Sequence, residues 1–378
     1  IRLSLVGSEM CIRDRGYTGC PRRRSGPITD LSLFVPQKGL TMNRQTRTPA
    51  SAPSPDQTPS KPVPVAAGRT SAASPARKPA ASRASAKSSD RVLRGTRIVS
   101  LALNLPGPAA LMRLRELGAT CLKIEPPAGD PMARYSTAAY EALHRGVRVL
   151  SLDLKTEAGH ARLMKQLAKT DVLLTSFRPS ALARLKLDAA TLRASLPELS
   201  TVAIVGAPGA RAERPGHDLT YLAEQDLLTG TDLPATLYAD MAGSMQAVEA
   251  VLGCVLHRAT QGRGRHCTVA LSEAVQVMAL PRTWGLTTPD AVIGGRHAGY
   301  HVYACSDGRV ALAALEPHFA ACLCKAVGLQ PDAGEVTLEL LKPTSRQHIA
   351  GFMAARTRAE IQRLGELYDL PLEVMKAA

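Results

Sequence analysis

No run of about 18 apolar residues occurs in this 378-residue chain, so no membrane span is expected. Its first residues lack an apolar stretch followed by a small-residue cleavage site, which argues against secretion and for a cytoplasmic protein. The eight cysteines form no CxxC pair, and Cys322 and Cys324 stand too close together for an ordinary zinc half-site. Reduced thiols and no metal site are the expectation. Cys11 and Cys20 fall in an N-terminal stretch with other peculiarities. From Met42 to Ser89 there is no aromatic residue and hardly a large aliphatic one, only Ala, Ser, Pro, Lys and Arg in abundance. Such a segment cannot bury enough apolar surface to offset its chain entropy, and residues 1–94 are expected to form a disordered basic tail. The opening IRLSLVGSEMCIRDRG resembles translated sequencing-adapter sequence, which makes Met42 the expected natural start and sets 1–41 apart from the fold. The tail also explains the charge. Residues 1–94 hold 17 Lys and Arg against five acids, 12 of the net +15, and leave 30 basic against 27 acidic residues beyond. A basic pI usually points to nucleic acid. Here it describes an arm without aromatics beside a nearly neutral remainder, so no nucleic-acid partner is expected.

Order begins near Gly95. TRIVSLAL (96–103) reads as a buried strand, NLPGP as a turn, AALMRLRELG (109–118) as a helix and TCLKIE (120–125) as the next strand. Strand, short turn, helix and strand make a βαβ unit with a parallel sheet. The turn holds only Gly107, between Pro106 and Pro108, so the GxGxxG fingerprint is absent and a nicotinamide or flavin site is disfavoured. Alternation continues through strands at 147–154, 171–177, 199–206 and 266–271 and helices at 156–169, 188–196, 241–259 and 272–281. After a Pro/Gly-rich stretch, HVYACSDGRVALAAL (301–315) reads as a hairpin around Ser-Asp-Gly, followed by helical patterns at 318–327 and 357–367. The expected class is α/β: an open Rossmann-like parallel sheet in a large domain, 95–285, and a smaller α+β domain, 286–378.

Three charged positions stand where such folds keep their sites, in loops after strands and at the helix starts that follow. They are His217 in RPGHDLTY, Asp240 in LYADMAGS and Glu316 in ALEPHF. Taken singly, each is a plausible helix cap or first-turn residue. Together with ELGATCLKIEPPAGDP, LSLDLKTEAG, SFRPSALARLKL, GRGRHCTVALSEA, YHVYACSDGRVALAALEPHF and YDLPLEV, they form an ordered series. The series resembles the class III (CaiB/BaiF-type) CoA-transferase family, and within it the α-methylacyl-CoA racemases. One departure is Pro126, where the family pattern has a basic residue before the proline of the second-strand loop; Lys123 lies three positions earlier.

The resemblance implies roles. His217 and Asp240 face the two sides of the substrate α-carbon, with Glu316 close by. Coenzyme A, carried in as part of the substrate and not as a permanent cofactor, is held by Leu152, Asp153, Leu154 and Lys155, by Ser176, Phe177 and Arg178, and by Arg184. Gly216, Asp218, Leu219, Thr220 and Tyr221 line the thioester end. The resemblance also implies an interlocked homodimer, with the site between one chain's large domain and Glu316 of the partner subunit. The chemistry is coherent. A thioester α-proton is weakly acidic, so its removal needs a base on one face, an acid on the other and stabilisation of the enolate oxygen. Backbone amides at the helix start after Asp240 are candidate donors to that oxygen. Three readings follow: racemisation of 2-methylacyl-CoA by 1,1-proton transfer; CoA transfer to a carboxylic acid through an aspartyl-CoA intermediate at Asp240; and an acyl-CoA-binding paralogue that has lost turnover.

Overall fold

The computed structural model describes residues 91–332 and 334–377. The expectations for 1–90, Cys11 and Cys20 among them, lie outside these residues; 91–94, expected in the disordered tail, instead form a turn that buries Leu93 in the core. The chain alternates β1 (Arg97–Ser100), α1 (Pro106–Glu116), β2 (Thr120–Glu125), α2 (Met132–Tyr135), α3 (Thr137–Leu143), β3 (Arg148–Ser151), α4 (Glu157–Leu167), β4 (Val172–Thr175), α5 (Pro179–Arg184), α6 (Ala189–Ser195) and β5 (Ser200–Val205). It continues through α7 (Asp218–Glu224), α8 (Tyr238–Gln261), β6 (His266–Ala270) and α9 (Leu271–Thr283). The six strands form one parallel sheet in the order β3-β2-β1-β4-β5-β6. The order reverses between β1 and β4, and the crevice above such a switch point is where open α/β sheets bind ligands.

Both faces of the sheet are covered, which is why VLLT and STVAIV read as continuous apolar runs. Strand residues alternate between two cores. Ile98, Val172, Leu174, Val202 and Ile204 pack with Leu111, Leu114, Val251 and Val275 of α1, α8 and α9. Val99 and Leu173 pack on the other face with Leu163, Leu167, Leu182 and Leu192 of α4, α5 and α6. At 24 residues, α8 is long and apolar enough to cross a membrane by length and composition, although its sequence is not an unbroken apolar run. Its Ala239, Ala247, Val251 and Cys254 belong to the first core.

A second, antiparallel sheet follows. It pairs β7 (Tyr300–Cys305) with β8 (Gly308–Ala313) in the expected hairpin and adds β9 (Leu372–Lys376). The helices α10 (Pro317–Val327), α11 (Val336–Glu339), α12 (Pro343–Ala354) and α13 (Arg358–Tyr368) accompany it, around Tyr303, Val310, Leu323, Ile349, Met353 and Ile361. All six cysteines among the described residues are free thiols.

Two local expectations are corrected. NLPGP is not a turn before the helix, because α1 starts at Pro106. Proline is at ease at the first helical position, where its missing N–H would have had no partner. Nor does α8 begin after Asp240: it starts at Tyr238, so Asp240 lies inside the first turn.

Candidate active site

The loop after β5 delivers the GHD segment to the carboxyl end of the sheet. His217 is the N-cap of α7, with extended backbone at φ −141°, ψ 169° and no side-chain cap bond. The Thr220 hydroxyl accepts the His217 N–H at 3.1 Å and donates to the His217 carbonyl at 2.7 Å, so the imidazole is not needed to cap the helix. Asp218 is buried, and its Oδ1 accepts the Asp240 backbone N–H at 2.9 Å. That bond ties the start of α7 to the first turn of α8 and holds His217 and Asp240 beside one cavity. The Met241 N–H donates to the Leu237 carbonyl at 3.1 Å. With both amides engaged, the helix start after Asp240 does not supply the enolate donors that the sequence suggested.

The cavity, of about 410 Å³, has walls of mixed character, with apolar side chains that include Leu103, Leu105, Met132, Ile204, Leu237 and Leu271. His217, Asp218, Asp240, Tyr221, Arg178 and Arg214 bring polar groups to it. Burial, reinforced by the neighbouring Asp218 carboxylate and opposed by His217, pushes the Asp240 carboxyl up to about 6. A carboxyl in that range can both hold and release a proton near neutral pH. Burial and then the charges of Asp240 and Glu224 raise the Tyr221 phenol, against the opposing effect of Arg178.

A second cavity, of about 820 Å³, opens beside it at the ends of β2 and β3. It gathers Leu152, Asp153, Leu154, Lys155 and Arg184, together with His160 and Lys186, which sequence reasoning did not single out. Phe177 lines both cavities. The Asp153 carbonyl crosses so close to Gly159 of α4 that any Cβ there would collide with it, which accounts for a glycine inside a helix. Ser176, Arg178 and Gly216 line the smaller cavity, where the Ser176 Oγ accepts the Leu103 N–H at 3.1 Å. Thr220 faces a small recess with Arg211 and Arg214, whereas Leu219 points outward, 42% exposed. Glu316 lines neither cavity; it is the exposed N-cap of α10, ahead of Pro317.

Sequence reasoning missed a buried charged hub next to the site. Lys123, fully buried in β2, has its ammonium bonded to Asp130, 2.7 Å from the His144 Nε2 and 3.3 Å from the Glu125 Oε1. The His144 Nδ1 lies 2.7 Å from the Tyr140 carbonyl, so the network fixes a neutral ring that donates from Nδ1 and accepts at Nε2. Burial, then the Lys123 charge, lowers the His144 pKa in agreement. Glu125, Asp130 and His144 bring ligand atoms within 4.8 Å of one another, but the lysine ammonium already supplies the cation among them. The other Asp130 oxygen accepts the N–H groups of Asn104 at 3.0 Å and Met132 at 2.9 Å, both residues of the smaller cavity. The available signal was a lysine between the apolar Leu122 and Ile124 of the strand TCLKIE.

Known proteins resemble this chain in sequence and in fold. Residues 93–378 match the family model of CoA-transferase family III. The alpha-methylacyl-CoA racemase of Mus musculus is 30% identical over 292 residues, covering 71% of this chain and 74% of the relative. The succinate–glutarate CoA-transferase of Agrobacterium fabrum is 27% identical over 250 residues, covering 58% and 62%. Among solved structures, a hypothetical protein from Mycobacterium tuberculosis aligns with a TM-score of 0.63 at 26% identity, over 74% of this chain and 83% of that one. A CAIB/BAIF family protein from Brucella suis shares the fold, with a TM-score of 0.62 at 24% identity and coverage of 74% and 83%.

Proposed function

Given that this chain belongs to CoA-transferase family III, whose members are racemases or CoA-transferases acting on acyl-CoA, we propose that it inverts the α-carbon of 2-methylacyl-CoA thioesters by 1,1-proton transfer. The observation that carries this reading is the meeting of His217 and Asp240 in one cavity, with the Asp240 carboxyl raised to about 6. One of the two groups takes the α-proton and the C–H electron pair moves into the enolate. The other returns a proton to the opposite face. The apolar side chains of its wall suit an alkyl acyl group. In the larger cavity, Lys155 and Arg184 suit phosphate groups of coenzyme A, and Phe177 suits packing along its length. CoA enters with the substrate, and no permanent cofactor is invoked. Residues 95–285 carry both cavities in this reading, while 286–378 present Glu316 to the site of a second subunit in a homodimer.

The test is incubation of a 2-methylacyl-CoA in D2O without any acceptor acid. Deuterium should enter the α-position, and His217→Ala should remove most of that exchange. The similarity to a succinate–glutarate CoA-transferase supports a second reading, in which Asp240 attacks the acyl-CoA and carries CoA to a new acid. Label that enters only after an acceptor acid is added, or CoA transfer without exchange, selects that reading.

A further inference from the structure

With the amides of Asp240 and Met241 engaged, charge developing on a thioester oxygen in the smaller cavity falls to the other donors that line it, the Tyr221 phenol among them. Tyr221 stands on α7 four residues after the N-cap His217, and both residues line the smaller cavity. Its ring is buried, 7% exposed, yet it lines the cavity with Asp240. The hydroxyl occupies a gap left by two glycines: a Cβ on Gly206 would collide with it, and one on Gly216 would come within 2.6 Å. A phenol this buried ordinarily finds a partner. Among the described residues none accepts its O–H, and Tyr221 lines both this cavity and the small recess with Arg211 and Arg214. The raised pKa keeps the phenol protonated and a donor over the physiological range.

We infer that Tyr221 is a further catalytic residue, donating a hydrogen bond from its phenol to the thioester oxygen as the α-proton leaves. The inference rests on the proton-transfer reading above. In the step, the base removes the α-proton, the C–H pair becomes the Cα–C double bond, and the carbonyl π pair moves onto oxygen. The phenol keeps its proton throughout and stabilises the charge only by hydrogen bonding.

Tyr221→Phe removes one oxygen and leaves the packing. Two readouts test it: α-deuterium exchange into a 2-methylacyl-CoA, and the enolate absorbance of bound acetoacetyl-CoA, a thioester acidic enough to ionise without turnover. The exchange rate should fall about 10²-fold with KM within about twofold, and the enolate signal should disappear. Unchanged melting temperature and CoA affinity exclude a merely structural loss. Gly216→Ala, which displaces the hydroxyl without deleting it, should reproduce both effects. Exchange and absorbance equal to wild type in Tyr221→Phe overturn the inference, as does a wild-type protein that induces no enolate. If wild type exchanges nothing but Tyr221→Phe still abolishes the enolate signal, the racemase reading fails and the role of Tyr221 stands.

Discussion

Asp240 stabilises chemistry at a cost to the fold. Its carboxyl is raised from 3.8 to about 6 by burial and by Asp218, so the charged form is the disfavoured one in the folded chain. The folded pKa lies above the unfolded value. The stabilising contribution of the protonated form is therefore complete below about pH 4 and is lost as pH rises through about 6. Asp240→Asn should be more stable than wild type by on the order of 1–2 kcal/mol at pH 7, with the difference opening between pH 4 and 6. Denaturant unfolding across that range checks it. The same variant should show no proton exchange, which separates stability from activity at one position. In the direction where Asp240 is the base, kcat/KM should fall as pH drops below about 6. His217 and Asp240 were legible from their chemistry and their order along the chain. Asp218 lines the cavity and is also a strut, a second role that was not legible because a hydrogen bond between two helix starts has no sequence signature.

Among the elements, those buried on both faces were the legible ones. β4 and β5 are bare apolar runs, and α4 carries a stripe that ends in the core at Leu163 and Leu167. The short helices α2, α3, α5 and α11 and the strand β9 escaped notice because a few residues carry too little periodicity to register, and the 12-residue α12 escaped because its apolar residues form only a weak stripe. The hub around Lys123 escaped for a different reason: its members come from β2, the following loop and α3 and meet only in space. Lys123→Met would leave the Asp130 and Glu125 carboxylates buried without their cation and should destabilise the chain by about 3–5 kcal/mol. Unfolding measurements on Lys123→Met and on Lys123→Met/Asp130→Asn check this, the double variant recovering part of the loss. His144 adds a pH dependence. Its folded pKa is lowered, so its contribution is present above the unfolded value near 6.5 and is lost as pH falls below it. At the larger cavity, Gly159→Ala should drive α4 from the Asp153 carbonyl and weaken CoA binding by about tenfold, read by calorimetry with free CoA.

On the scale of the whole molecule, the position of Glu316 makes a proposal about assembly testable. It lines neither cavity of its own chain, so a role in proton transfer requires delivery from a second subunit. Chains bearing His217→Ala and Glu316→Ala, each inactive alone, should recover roughly half of wild-type activity per mixed dimer when co-expressed. In the mixed dimer one site is intact, taking His217 from the Glu316→Ala chain and Glu316 from the His217→Ala chain, while the other site carries both lesions. No recovery would mean that Glu316 acts within its own chain or not at all. Phe177 has a consequence of a different kind. As a wall common to both cavities, it turns them into a lever: grip gained on the distant nucleotide end can be applied at the α-carbon. An acyl thioester cut short of the nucleotide should then lose turnover number and not merely affinity, and free CoA added alongside it should restore none of the loss.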